Sequence, residues 1–207
     1  DAGAEGDRVS TTDEVVLDLN AGSSSIKFCV FGRSGTVLER RLRGQISGIG
    51  ASPHLVARSG ADPVADRSVG DDARSHADAL GILLDFLRGE LQESRIVGVG
   101  HRVVHGGLEF MAPTRVDVET LSRLERYIPL APLHQPHNLA AIRLMLQQLP
   151  GVPEVACFDT AFHRTVPEVA QLFALPARFA EAGVRRYGFH GLSYEYVASV
   201  LPVLDPQ

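Results

Sequence analysis

Two short apolar runs joined by a turn of small residues constrain the fold of this chain more than any other stretch. The segment VVLDLNAGSSSIKFCVF covers residues 15–31. Its branched and aromatic residues at 15–20 and 25–31 are typical of strands, and residues 21–24 are typical of the connection between them. We therefore predict a β-hairpin near the start of the folded part of the chain.

The turn of this hairpin suits an anion. Gly22 lets the backbone approach a phosphate without a side chain in the way. Short hydrogen-bonding side chains surround it at Asn20, Ser23, Ser24 and Ser25. Lys27 would share a strand face with Ser25 and add a positive charge. An ordinary Ser/Gly turn beside a solvated lysine has the same pattern, so the hairpin alone does not decide the function.

Composition limits the class of protein. The net charge of −5 argues against a nucleic-acid-binding protein, because a nucleic-acid surface would need a clustered basic stripe. The longest apolar stretch, ALGILLDFL, is interrupted by Asp85 and is far shorter than the roughly 20 residues of a membrane span. Cys29 and Cys157 lack metal-finger spacing, which favours reduced thiols and a cytoplasmic protein. Residues 1–14 have neither the basic leader nor the apolar core of a secretion signal, and we predict a disordered tail.

Hydrophobic spacing predicts an α/β fold with a mixed sheet. Residues 36–46 continue the hairpin as a third strand, whereas residues 47–75 are rich in Gly, Ser, Asp and Pro and predict little regular structure. A helix is predicted over residues 77–91, followed by a strand over residues 95–107. The helix has leucines on one face, at Leu80, Leu83, Leu84, Leu87 and Leu91.

The second half of the chain alternates helices and strands. We predict a short helix over residues 120–127, then a proline-bounded loop over residues 131–136 and a helix that Asn138 would cap. A strand runs into a turn at Asp159. Residues 167–182 form two helical pieces, and a last strand passes through a glycine-containing turn into a final helix.

Polar residues recur where predicted strands give way to Gly- or Pro-containing loops, the position at which open α/β sheets keep their ligands. The set is Asn20, Ser23, Ser25, Lys27, Arg102, His134, Asp159 and His190. Arg102 lies in an apolar strand, where an arginine meets an anion, either a carboxylate of the protein or a substrate phosphate. Asp159 fits both an orienting or metal-linked role and an ordinary turn. His190 fits both a site residue and a packed ring.

Two histidine pairs raise the hypothesis of a metal-dependent hydrolase. His101 and His105 have no adjoining third ligand, and His134 and His137 form a lone HxxH in a loop. Structural or substrate-facing histidines fit these spacings better than a zinc site. The hydrolase hypothesis predicts a stoichiometric bound transition metal.

Six segments resemble, in order, the signature segments of acetate kinases, and they extend through nearly the whole chain after the tail. They are NAGSSSIKF, GHRVVHGG, APLHQPHNLAAI, FDTAFHRTVP, FALP and RRYGFHG. The resemblance implies a ribonuclease-H-like (actin-like ATPase) fold with a mixed sheet flanked by helices. It also implies that residues 15–161 are a first domain and residues 162–207 the truncated start of a second.

The same resemblance implies site roles. Residues at the phosphate end of ATP would be Asn20, Ser23, Ser25, Lys27 and His190, with Asn20 also beside Mg²⁺ or Mn²⁺. The catalytic residues would be Arg102, which binds the acetate carboxylate and the phosphoryl group, His134, His190 and Asp159. The acetate methyl group would contact Val104, Leu133 and Phe189.

The resemblance therefore implies reversible phosphoryl transfer from ATP to acetate, giving acetyl phosphate and ADP. A propionate kinase and a non-catalytic fragment that binds phosphate weakly are the alternatives. Members of the family continue into a second domain of similar size, and a full-length member is expected to form a homodimer. This chain departs from the usual family sequence at Asp18, Gln135, His137 and residues 192–194.

Overall fold

The computed structural model describes residues 13–92 and 94–205. The tail predicted for residues 1–14 lies outside these ranges, except for Asp13 and Glu14, which begin the first strand. Within the described ranges, no helix is long and apolar enough to cross a membrane.

The fold is built on a mixed sheet, with eight strands among the described residues in the order β5-β4-β3-β2-β1-β6-β8-β7. The strands are β1 Asp13–Ala21, β2 Ser25–Ser34, β3 Val37–Ser47, β4 His54–Ser59, β5 Asp62–Ser68, β6 Ser94–Val103, β7 Thr114–Val116 and β8 Glu154–Phe158. Strands β1, β6 and β8 are parallel, and the remaining pairs are antiparallel. The carboxyl ends of the three parallel strands therefore meet at one edge.

The helices are α1 His76–Glu90, α2 Val118–Glu125, α3 Gln135–Gln148, α4 Glu168–Gln171, α5 Ala177–Glu181 and α6 Gly191–Leu204. Helices α1 and α3 pack against each other and against the central strands. Alternate residues of β1 point into this layer, so Val15, Leu17 and Leu19 are fully or almost fully buried. The predicted leucine face of α1 meets them, and only Leu91 of that set remains partly exposed.

The predicted hairpin, third strand and leucine-rich helix are confirmed by β1, β2, β3 and α1. The prediction of little structure over residues 47–75 is wrong, because β4 and β5 form an antiparallel pair there. Leu55 and Ala57 alternate inward and are fully buried, while Gly60, with φ 59°, makes the turn. Pro63 is compatible with β5 because β5 is an edge strand.

Three further predictions are corrected. The strand predicted over residues 95–107 ends at Val103, and no strand forms over residues 184–190. Asn138 does not cap α3; His134 takes that place without a capping side chain, and Asn138 lies inside the first turn. Strand β7 was not predicted, since three residues are too few to show a period.

Candidate active site

A cavity of about 490 Å³ opens at the carboxyl ends of β1, β6 and β8. The predicted site residues that line it are Asn20, Arg102, Val104, His134, Asp159, Phe189 and His190. Other lining residues come from the hairpin turn and the segment before α3, including Gly22, Leu130 and Ala131. Residues spread over 170 positions of sequence are thus gathered where the parallel strands end.

Arg102 joins the polar residues of this cavity into one cluster. Its Nε donates to both carboxylate oxygens of Asp159 at 3.1 and 3.2 Å, and its Nη2 donates to Oδ2 at 2.6 Å. Its Nη1 donates to Asn20 Oδ1 at 3.3 Å. Asp159 is buried, whereas about a third of the Arg102 side chain (31%) remains exposed. Arg102 therefore meets a protein carboxylate and also faces the cavity.

The backbone around Asp159 is fixed on both sides. Its N–H donates to the Val103 carbonyl at 3.0 Å, and its carbonyl accepts from the Gly191 N–H at 2.9 Å. A Cβ on Gly191 would lie 2.2 Å from that carbonyl oxygen, so only glycine fits. The preceding residue, His190, has a left-handed backbone with φ 58°. Gly191 thus ties the start of α6, and with it His190, to the end of β8.

Two buried polar side chains of α3 hold the segment after β6. The Asn138 amide accepts from the Val104 N–H at 3.0 Å and donates to the Ala21 carbonyl at 2.6 Å. Gln135 accepts from the His105 N–H at 3.1 Å and donates to the His105 carbonyl at 2.9 Å. Neither role was predicted from the sequence, although two amide side chains in the first turn of an apolar helix were a usable signal.

His105 packs behind the cavity wall. Its ring contacts Tyr187 and Phe189, with centroid distances of 4.5 and 5.9 Å, and its Nδ1 accepts from the Gly107 N–H at 2.9 Å. Burial lowers the pKa of His105, so the ring is neutral near pH 7. His105 therefore supports Phe189 as a packed, neutral ring.

The hairpin turn borders the cavity through Ala21 and Gly22. Lys27 is exposed and stands opposite Asn20 in the β1–β2 register, which places both side chains on one face of the sheet. Of the other predicted phosphate ligands, Ser23 lies in the turn and Ser25 begins β2, and neither is among the residues that line the cavity.

Leu133 is not among the residues that line the cavity, and 74% of its surface is exposed. Its predicted contact with the acetate methyl group stays a prediction.

Asp18 lies two residues before Asn20, on the same sheet face. A Cβ on Gly100 would approach its Oδ1 to 3.4 Å, so glycine leaves room for this carboxylate. Partial desolvation raises the pKa of Asp18, and the nearby His101 opposes the shift, although part of the side chain is still open to solvent. Asp18 is therefore the neighbour of Asn20 on this face of β1, next to the cluster that Arg102 forms with Asn20 and Asp159.

The histidine pairs do not gather metal ligands. His101 is buried in the core, where its Nε2 lies 2.9 Å from Glu154 Oε2, and His137 stacks on His76. Among the residues that the structure describes, no group of three or more His, Cys, Asp or Glu side chains is placed to hold a metal ion. Among these residues, the hydrolase hypothesis has no geometric support.

The model of the Acetokinase family matches residues 15–204. This chain belongs to the acetokinase family. It is 52% identical to an acetate kinase of Nitrobacter hamburgensis over 196 residues, which is 93% of this chain and 48% of that protein. It is 44% identical to a propionate kinase of Citrobacter rodentium over 195 residues, 90% of this chain and 46% of that protein. The chain spans about half the length of the curated relatives it matches.

Solved structures agree with the family assignment. An acetate kinase of Porphyromonas gingivalis superposes with a TM-score of 0.79 at 33% identity, covering 92% of this chain and 49% of that one. A propionate kinase of Francisella tularensis gives a TM-score of 0.81 at 32% identity with the same coverage. The acetokinase chain therefore has the predicted actin-like ATPase fold, with a mixed sheet flanked by helices.

Proposed function

We propose that this acetokinase-family protein is an acetate kinase, which transfers a phosphoryl group reversibly from ATP to acetate. The observation that carries the proposal is the Asn20–Arg102–Asp159 cluster, which lines one cavity together with His134, His190 and apolar side chains. A cation, two imidazoles and a small apolar wall are the groups that a short carboxylate and a phosphoryl group require.

The chemistry asks little of a general base. Acetate is already ionised near pH 7, so its oxygen attacks the phosphorus in line without losing a proton. Catalysis then consists of alignment and neutralisation of the charge on the transferring phosphoryl group. Arg102 would supply the positive charge that neutralises it. Asp159 would orient Arg102, because it accepts hydrogen bonds from the Nε and Nη2 side of the guanidinium.

The two lining histidines and the apolar wall have separate roles. His134 and His190, which both line the cavity, would donate to the phosphoryl oxygens. Val104 and Phe189 would contact the methyl group of acetate. One additional methylene in such a pocket changes binding by only about 1–3 kcal/mol. Propionate is therefore the second candidate substrate, which the names of two relatives favour.

ATP would place its phosphates at the hairpin turn, beside Asn20, Ser23, Ser25 and Lys27. Mg²⁺, or Mn²⁺, prefers oxygen ligands and is held by one or two carboxylates together with substrate phosphates. Asn20 and Asp159 line the cavity with oxygens of this kind, which also accept from Arg102, and these are the residues that would hold the ion. When bound, the ion would neutralise phosphate charge.

The packing supports two domains, one over residues 15–161 and the beginning of another over residues 162–207. Both hydrophobic clusters lie within the first range. From Phe162 to Asp205, only Gly191 is buried. From the family resemblance, we also propose a homodimer and a cytoplasmic location. The net charge of −5 supports the proposal that the protein has no nucleic-acid partner, and no membrane partner is proposed.

A chimera tests the activity directly. This chain would be joined to the remaining half of the Nitrobacter hamburgensis acetate kinase, and acyl phosphate formation from acetate, Mg²⁺ and ATP would be trapped with hydroxylamine. We expect turnover that falls at least about 100-fold in the Arg102→Ala chimera, because the phosphoryl charge loses its cation. The same assay with propionate in place of acetate gives a second kcat/KM, and the larger of the two values identifies the preferred substrate.

The controls are the intact Nitrobacter hamburgensis acetate kinase and this chain alone. A folded chimera without turnover, beside an active intact relative, would contradict the proposed function. We expect no turnover from this chain alone. If it turns over and Arg102→Ala abolishes that turnover, residues of a second domain are not required for the reaction.

A further inference from the structure

The first residue of α1 reaches the turn between β1 and β2. The Nε2 atom of His76 lies 2.6 Å from the carbonyl oxygen of Gly22. A capping box fixes the start of this helix, because the Ser75 hydroxyl accepts from the Asp78 N–H and the Asp78 carboxylate accepts from the Ser75 N–H. The position of His76 is therefore set by α1 and not by the turn that it contacts.

A second histidine holds the same ring from its face. His137 of α3 stacks on His76 with ring centroids 4.4 Å apart and planes 26° from parallel. Since α1 and α3 pack against each other, the stack restricts the rotation of the His76 ring. Its Nε2 edge is thereby held against Gly22.

The contact fixes the direction of one peptide group. A carbonyl oxygen only accepts hydrogen bonds, so His76 Nε2 carries the proton in both the neutral and the charged ring. No described peptide bond is cis, and in a trans peptide the Gly22 carbonyl and the Ser23 N–H point in opposite directions. With the carbonyl directed at α1, the Ser23 N–H is directed away from it. The Gly22 N–H closes the turn on the Ser25 carbonyl at 2.8 Å.

We propose that His76 is a positioning residue for the hairpin turn and that His137 holds its ring in place. The inference rests on the proposed function in one respect, since it takes this turn as the site of the ATP phosphates. Gly22 lines the cavity, so a shift of its peptide group changes the donors offered to a phosphate. His76 itself does not line the cavity and acts only through Gly22.

Two substitutions separate the hydrogen bond from the stacking. His76→Phe keeps an aromatic ring against His137 and removes the donor, whereas His76→Gln supplies an amide N–H near the position of Nε2. His54→Phe is the matched control, because His54 Nε2 bonds a surface side chain, Asp66, on the β4–β5 hairpin at 2.7 Å.

Nuclear magnetic relaxation of backbone amides in the ligand-free chain reports on the turn directly. We expect Ser23 and Ser24 to become more mobile in His76→Phe and to keep the parent's order in His76→Gln and in the control. His137→Ala should loosen the turn, and His137→Phe should not. Unchanged Ser23 mobility in a folded His76→Phe variant would overturn the role of His76. Unchanged mobility in His137→Ala would overturn that of His137.

Titration with inorganic pyrophosphate and Mg²⁺ adds the second measurement. We expect binding about fivefold weaker in His76→Phe, the size of one lost hydrogen bond, and restored by His76→Gln. Equal affinity in His76→Phe and the parent would overturn the link to phosphate binding. A parent chain that does not bind pyrophosphate would count against the proposed phosphate site, while the relaxation data would still decide the role of His76.

Discussion

At the scale of single residues, Arg102 bonds a protein carboxylate and also faces the cavity, so one of the two partners predicted from the sequence is observed and the substrate phosphate stays a prediction. Three hydrogen bonds to Asp159 use the Nε and Nη2 side, and Nη1 bonds Asn20 at the cavity. A carboxylate partner therefore does not remove an arginine from a site. It orients the guanidinium, and the exposed part of Arg102 still faces the cavity.

This geometry predicts that lysine cannot replace Arg102. One ammonium group cannot bond two oxygens of Asp159 and Asn20 in the same fork. In the chimera, we expect Arg102→Lys to lower kcat/KM about 100-fold while the unfolding midpoint in urea stays close to that of the parent. Activity within a few-fold of the parent would mean that only the charge of Arg102 matters.

The buried His101–Glu154 pair predicts a stability effect separate from the site. His101 Nε2 and Glu154 Oε2 lie 2.9 Å apart, and both side chains are at least 98% buried. Glu154→Ala would leave the imidazole without this partner, and we expect a loss of about 3 kcal/mol in the free energy of unfolding. Glu154→Gln keeps an oxygen acceptor and should cost less. Equal urea midpoints for Glu154→Ala and the parent would contradict this prediction.

At the scale of elements, α3 joins the core to the site through its first turn. Asn138 bonds the Val104 N–H and the Ala21 carbonyl, so it connects the segment after β6 to the end of β1. Asn138→Ala leaves both backbone groups unpaired in a buried place, and we expect a loss of about 2–4 kcal/mol. Gln147→Ala, at an exposed position of the same helix, is the control. Urea unfolding of both variants measures the difference, and equal losses would refute a special role for Asn138.

The same helix shows what the sequence can and cannot predict. Period and turn residues predicted β1, β2, α1 and the place of Asp159, because those signals are local. The partners of Asn138 are 34 and 117 residues away, and local spacing favoured a cap instead. Strands β4 and β5 were missed for a related reason, since β4 has only two buried residues, Leu55 and Ala57, and β5 has none, too few to outweigh the surrounding Gly, Asp and Pro.

At the scale of the whole molecule, two histidines make stability depend on pH. Burial lowers the pKa of His105, and burial followed by the charges of His76 and His134 lowers that of His137. Below about pH 6.5 the unfolded chain takes up protons that these folded rings resist. The free energy of unfolding should therefore decrease as the pH is lowered from about 7.5 to about 5.5.

Urea midpoints across this range measure the effect. His137→Phe should flatten the dependence because it removes one of the two groups. The raised pKa of Asp18 acts in the opposite direction, since the folded state binds its proton first as the pH falls toward 3.8. A midpoint that rises from pH 7.5 to pH 5.5 would contradict the assignment to histidines.

The exposure of helix α6 predicts that its hydrogen bonds open easily in this chain. Apart from Gly191, its residues are at least partly exposed, including large apolar side chains at Tyr194, Tyr196, Val197, Leu201, Val203 and Leu204. A helix of 14 residues is marginal without packing. We therefore expect the α6 amides of this chain to exchange hydrogen much faster than those of α1, whose apolar face is buried.

In the chimera with the remaining half of the Nitrobacter hamburgensis acetate kinase, α6 should gain a packing partner, and its exchange should slow toward that of α1. The α1 rates serve as the internal control, because the leucine face of α1 is buried in this chain. Slow exchange of α6 in this chain alone would show that residues 162–205 are stable without a second domain. Since Gly191 connects α6 to Asp159, ordering of α6 should also order His190 beside the cavity.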